Sequence, residues 1–294
     1  MTTAAFNRRR FLALSTCALA VPALAGDCHR WQGVALGADV ALTVQGGTPS
    51  AARAFFAEAV RSLRSIEQQF SLFTGSELRR LNALGQLPHP SPDMLTVLHL
   101  AGQVHEATGG AFDPTVQPLW QARRLGQDEG AARALIGWAD VHLHPDQIRL
   151  TRPSMALTLN GIAQGFAADR LAEVAARHGL TEVLIDAGEL HALGTTPWNA
   201  RIEAPGGHVL RDLALRDRAL ATSAAFGTRI GPGEDRAHIV GPAGQEPRWS
   251  VVSISADSAM LADALSTAAV LMTRPAIDKA LSAFPGTRIE ALVA

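Results

Sequence analysis

Between residues 51 and 70 apolar side chains return at intervals close to the helical repeat, with Phe56, Val60, Leu63 and Phe70 on one stripe, and predict an amphipathic helix. The same periodicity predicts helices over residues 94–108, halted by Gly109-Gly110, over 163–178, with Gly179 placed to cap the end, and over 260–272, followed by Pro275. Pro88-His89-Pro90-Ser91-Pro92 is a stiff connector between two such segments. Residues 34–44 carry the short-period apolar pattern of a strand, residues 141–150 alternate like strands with a turn, and further strands are expected at 182–186, 201–204, 219–222, 238–240 and 248–254. Helices and short strands interleave without the regular spacing of βαβ units, so the expected fold class is α+β.

Only the first 25 residues break this pattern. Asn7-Arg8-Arg9-Arg10 precedes an apolar run that ends in Ala23-Leu24-Ala25, which reads as a cleavable export signal, with the paired arginines and Phe11-Leu12 resembling the twin-arginine type. The run is shorter than the ~20 apolar residues that a membrane-spanning helix needs. Leu14-Ser15-Thr16-Cys17 resembles a lipoprotein processing site less well. The chain is therefore divided into a signal at 1–25 and one domain at 26–294, and a periplasmic location is expected. Removing the signal takes away three arginines and no acid, so the formal charge falls from −1 to −4. Cys28 is then the single cysteine, which excludes an intrachain disulfide. With a sequence pI near 6.8 there is no basic field to hold nucleic acid, and small molecules or proteins are the expected partners.

Candidate chemistry sits in a few short stretches. In the expected helix at 260–272, Asp263 and Thr267 lie four residues apart and share a face, so that a carboxylate and a hydroxyl point the same way, as a hard cation such as Mg²⁺ would require. The bland alternative is a polar stripe on a half-buried helix. Residues 158–169 run from a strand through Gly161 and Gly165 into a helix, where close backbone approach and unpaired amides favour an anion, although a tight turn gives the same pattern. Phe73 offers a face for stacking on a planar ring, and Asp113, before Pro114, can read a ligand donor or cap the chain. His142 and His144 share one side of a strand but have no third ligand at metal spacing. His238 is a candidate base because an imidazole titrates near neutrality.

Taken in order, these stretches resemble the ApbE family of FAD:protein FMN transferases. Phe70-Ser71-Leu72-Phe73 with Ser76-Glu77-Leu78 and Leu81-Asn82, the run Gly110-Ala111-Phe112-Asp113-Pro114-Thr115-Val116, Leu159 to Gly165, Leu220-Ala221-Thr222-Ser223, His238 to Pro242 and Met260 to Thr267 each match a family segment. The resemblance implies an α+β domain of mixed or antiparallel strands with packed helices. It further implies a Mg²⁺-dependent enzyme that takes FAD as substrate, attaches FMN to a Thr or Ser of an acceptor protein, an exported or membrane redox subunit, and releases AMP.

On the same resemblance Asp263 and Thr267 bind the metal through side chains and Gly161 through its carbonyl. Leu36, Phe73, Ala111, Phe112, Asp113, Thr158, Gly161, Gln164 and Ile239 fall at flavin-nucleotide positions, and His238 or Asp263 is the base. Phe73 stands where many members have tyrosine, a loss of one hydroxyl bond worth about 1 kcal/mol. Thr158 stands for the usual Asp, Gln164 for Lys and Gly241 for Asp. These departures keep two alternatives open: hydrolysis of FAD to FMN and AMP, and a non-catalytic flavin-binding assembly factor.

Overall fold

The computed structural model describes residues 27–73 and 75–294, so the expected export segment lies outside the described residues. In chain order the elements are β1 (Cys28–Ala35), β2 (Ala38–Gln45), α1 (Pro49–Phe70), α2 (Glu77–Leu84), β3 (Gln86–Pro88), α3 (Pro92–Ala107), α4 (Gln117–Leu125), α5 (Glu129–Arg133), β4 (Val141–His144) and β5 (Gln147–Leu150). They continue with α6 (Ala163–Arg177), β6 (Val183–Asp186), β7 (Leu190–Leu193), β8 (Trp198–Glu203), β9 (Val209–Leu215), β10 (Arg218–Ala224), β11 (Arg229–Ile230), β12 (Arg236–Ala237), β13 (Val251–Ala256), α7 (Ala259–Ala269), α8 (Arg274–Ser282) and β14 (Arg288–Val293).

Seven strands form one sheet in the order β1-β2-β6-β7-β10-β13-β14, with every neighbouring pair antiparallel. Both faces of its centre are covered, and the two-residue period of a strand divides the side chains between them. Val183 and Ile185 of β6, Ala219 and Ala221 of β10, and Val252 and Ile254 of β13 join the larger core with α1, α3, α6 and α7. The residues between them, Leu184 and Leu220, join Trp198, Ile202 and Leu215 under the β8–β9 hairpin. Burial of chains such as Phe55, Ile66 and Leu98 stabilises the helical side by roughly 1.5–3 kcal/mol each. A smaller three-stranded sheet, β3-β5-β4, lies to one side.

The α+β expectation holds, with local corrections. Residues 34–44 are not one strand: Leu36 and Gly37, at φ +51° and +77°, turn the chain into the β1–β2 hairpin, and Leu36 N–H donates to Glu67 Oε1 at 2.9 Å. Two positive φ angles define the tight hairpin turn whose usual signal is Asn-Gly, and Leu-Gly conceals it. The buried face of α1 is Ala52, Phe55, Ala59, Leu63, Ile66 and Phe70, leaving Phe56 and Val60 half-buried, because α1 packs against both β1 and α6. Pro88 closes β3 where a plain connector was expected. Residues 238–240 form a bend after the two-residue strand β12, not a strand.

Candidate active site

The site begins at the crossing of α6 and α7. α6 opens at Ile162, which offers no side-chain cap, so the acceptor for its first turn comes from the other helix: Gly165 N–H donates to Asp263 Oδ2 at 3.1 Å. The N–H groups of Ile162 and Ala163 bond back to Leu159 O at 3.1 and 2.9 Å. This corrects the picture of a wholly open anion cradle. Three of the N–H groups at this turn are thus already engaged. Gly165 is required here, because a Cβ would strike the backbone of Ala259 and Met260. At Gly161 a Cβ would lie 2.9 Å from both Thr267 Oγ1 and Thr267 Cγ2. Thr267 thus faces the Gly161 backbone and the Asp263 carboxylate faces Gly165, on adjacent turns of the crossing. Ser223 of β10 supports it, with its Oγ 2.8 Å from Ser266 Oγ and 3.3 Å from Thr267 Oγ1.

Beside the crossing lies a cleft of about 860 Å³, including its open mouth. Its walls hold Ala111, Phe112, Asp113, Thr158, Gly161, Gln164, His238, Ile239 and Thr267, bringing together residues that are scattered along the sequence. Asp263 is 3% exposed and is not part of the lining. Leu36, at the hairpin turn, and Phe73, 65% exposed in the loop after α1, lie outside the lining of this cleft. Trp120, Val116, Asn160, Thr228, Pro242 and Leu271 also line it. Sequence reasoning missed these. Trp120 follows the Gly-Ala-Phe-Asp segment by about two turns on α4, and that spacing was the one available signal.

Each polar group in the cleft is held in a definite state. Asp113 Oδ1 accepts from Thr115 N–H at 2.8 Å and from the Thr115 hydroxyl at 2.6 Å, which fastens the carboxylate to its own loop. Burial pushes the Asp113 carboxyl up, opposed by those Thr115 bonds and by nearby His105. Burial also raises Asp263, to about 7, against the Gly165 N–H bond, with the Asp169 charge adding to the rise. His238 Nδ1 lies 3.1 Å from both Ala225 O and Thr228 O, and two carbonyls can only accept. Nδ1 therefore carries the proton and Nε2 is the basic nitrogen. Burial lowers the His238 pKa, against the two carbonyl bonds that raise it, and favours the neutral ring. Gln164 is 4% exposed and packs beneath Gly188, and its buried Nε2 has no hydrogen-bond partner among the described residues. The cleft lining includes no Lys or Arg.

The sequence profile of the ApbE family matches residues 36–292. This chain belongs to the ApbE family. Among curated ApbE relatives, the chain is similar to the FAD:protein FMN transferase of Treponema pallidum, 29% identical over 63% of this chain and 64% of the relative. It is also similar to that of Vibrio cholerae, 27% identical over 73% of this chain and 72% of the relative. The aligned part thus spans just under two thirds of the Treponema protein.

In fold the chain is similar to the ApbE protein of Thermotoga maritima, with a TM-score of 0.79 at 24% identity, covering 90% of this chain and 94% of that one. It is likewise similar to the flavin transferase ApbE of Vibrio cholerae, with a TM-score of 0.77 at 22% identity, covering 92% and 98%. Against this family background, Thr158 and Gln164 face the cleft directly, and Gly241 stands between the lining residues Val240 and Pro242.

Proposed function

We propose that this chain is a Mg²⁺-dependent FAD:protein FMN transferase that joins FMN through a phosphoester to a Thr or Ser of an exported or membrane redox protein and releases AMP. The observation that carries this reading is the packing of Thr267 on Gly161 and of Asp263 on Gly165, one turn apart, beside a cleft whose wall holds a histidine with Nε2 as its basic nitrogen.

The donor set fits the metal: one carboxylate, one hydroxyl and one peptide carbonyl give the oxygen-only environment that suits a hard cation. Among the described residues no group of three His, Cys, Asp or Glu side chains gathers as a metal cage. When bound, a divalent cation supplies positive charge to the pyrophosphate oxygens. Among the described residues the lining includes no lysine or arginine, which is consistent with a cation carrying that role.

The protein's own residues do the rest. His238 Nε2 accepts the proton of the incoming hydroxyl as its oxygen meets phosphorus, and Nδ1 stays bonded to the two carbonyls, which stabilise the imidazolium that forms. Asp263 is less suited as the base, because its carboxylate is already engaged by Gly165 N–H and would be committed to the cation. The orphan Nε2 of Gln164 is a neutral donor for a substrate oxygen, where the family's usual lysine would bring a charge. Export by the twin-arginine route to the periplasm belongs to the same proposal and rests on residues 1–25. Among the described residues no helix is long and apolar enough to cross a membrane.

The test is incubation of the chain without residues 1–25 with FAD, Mg²⁺ and an exported redox subunit containing a candidate Thr, followed by flavin fluorescence in a denaturing gel and assay of AMP. Labelled acceptor with matching AMP is the expected result. FMN and AMP without label would mean hydrolysis by water in the same site, and FAD recovered unchanged would mean a binding protein.

A further inference from the structure

α6 and α7 cross in antiparallel register, and their contacts step by one turn on each helix. Gly161 meets Thr267, Gly165 meets Asp263, and Asp169 meets Ala259. The first two rungs build the cation seat. The third contributes nothing to the cleft, yet it is the most heavily bonded. Asp169 Oδ1 accepts from Ala259 N–H at 2.7 Å and from His191 Nδ1 at 2.8 Å, and Oδ2 accepts from the Ser258 hydroxyl at 2.6 Å and from Met260 N–H at 3.0 Å. One carboxylate on α6 thus ties down the start of α7 and a side chain of β7. The helices exchange caps: Asp263 of α7 holds the first turn of α6, and Asp169 of α6 holds the first turn of α7.

We propose that Asp169, oriented by His191, is a positioning residue that fixes the axial register of α7 on α6 and thereby sets Asp263 and Thr267 opposite Gly161 at the separation a divalent cation needs. The proposal rests on reading that end of the crossing as a Mg²⁺ seat. Register matters because an α-helix advances about 1.5 Å per residue, whereas Mg²⁺ demands near-ideal oxygen distances of about 2.0–2.1 Å. Sliding α7 by a fraction of one residue would therefore break the seat. Apolar packing and the Ser223 bonds hold α7 broadly in place, but they are less directional than a set of hydrogen bonds along the helix axis. Gly165 presents bare backbone to Ala259 and Met260, so no side chain interlocks there, and the middle rung is a single N–H bond. The charge-assisted bonds of Asp169 are the anchor.

The experiment titrates Mn²⁺ into the protein with saturating FAD, follows the free-ion EPR signal, subtracts a titration of FAD alone, and records thermal melting of the same samples. Asp169→Asn places an amide NH₂ against bonded donors and is expected to weaken Mn²⁺ binding about tenfold or more, the usual range for a residue that orients a metal ligand. His191→Gln should weaken it by a smaller factor. Ile277→Val in α8, a control that lowers stability without altering a hydrogen bond of the crossing, should leave Mn²⁺ affinity unchanged. Should Asp169→Asn not fold, His191→Gln decides alone.

Variants that melt earlier yet bind Mn²⁺ within twofold of the parent would show a cap that serves stability only, and would overturn the proposal. A parent protein that takes up no Mn²⁺ beyond FAD alone would overturn the metal reading and the proposal with it.

Discussion

The two walls of the cleft are built on different principles. On one side α6 and α7 are pinned backbone to backbone: Gly165 admits no side chain, Asp263 caps α6, and Ser258 and Asp169 cap α7. On the other side His238 follows the two-residue pairing of β11 with β12, in a segment where Gly231 and Glu234 adopt positive φ. There His238 Nδ1 is held only by carbonyls of the β10–β11 connection. On the proposed function, the helical wall is the one that holds the cation, and the hydrogen bonds across the crossing orient its carboxylate. On the same proposal, the turn-rich wall supplies the proton acceptor. Geometry that a metal would not tolerate is acceptable for a base.

Substitutions should separate the walls. The largest effect is expected from Gly165→Ala, whose methyl strikes the Ala259 backbone; overpacking of this kind costs about 1–3 kcal/mol or more, and urea unfolding should show that loss together with loss of cation-dependent activity. Asp263→Asn should abolish Mg²⁺-dependent turnover while circular dichroism stays native, because the amide oxygen can still accept from Gly165 N–H. Turnover that persists would make this face of the helix purely structural.

On the opposite wall, His238→Gln should leave stability nearly unchanged and slow flavin transfer by about 10²–10⁴-fold, the usual contribution of a positioned base. The parent's pH profile has a defined sign. Burial depresses the His238 pKa below its ordinary 6.5, so the rate should rise with pH through an acid limb centred below that value and then level off. A limb centred above it would assign the base elsewhere.

A last effect depends on pH alone and needs no ligand. Asp186 ends β6, and burial raises its carboxyl to about 6 from 3.8, with Asp39 adding to the rise. The folded state then binds more protons than the unfolded chain between those values, so stability is highest at and below the unfolded pKa and falls as pH rises to about 6. Asp186→Asn should therefore stabilise the protein at pH 7 by about 1–3 kcal/mol and leave it unchanged near pH 4. Chemical denaturation at the two pH values checks this, and equal effects at both would refute it.

How much of this was readable in the sequence divides along the same line. The crossing was legible: the four-residue step from Asp263 to Thr267 and the glycines at 161 and 165 are local signals, and helix geometry converts them into shared faces. What stayed hidden was the reciprocal capping, because Asp169 acts on a segment about ninety residues away and nothing local marks it. The turn-rich wall was read less well. Residues 238–240 carry the apolar character of a strand, but no neighbour pairs with them, and tertiary context overrode the local preference. Leu36-Gly37 hid a hairpin for the converse reason, since a leucine at φ +51° disguises a turn that asparagine would announce. The face of α1 was only half placed because several partners, β1, α2 and α6, decide which stripe is buried.

The most direct test of the cation seat is a crystal of the protein soaked with FAD and Mn²⁺ and measured for anomalous scattering. The expected result is a single strong peak bounded by the Asp263 carboxylate, Thr267 Oγ1 and the Gly161 carbonyl, facing the cleft that holds His238. Density for bound FAD with no peak at that point, or a peak held by other residues, would contradict it.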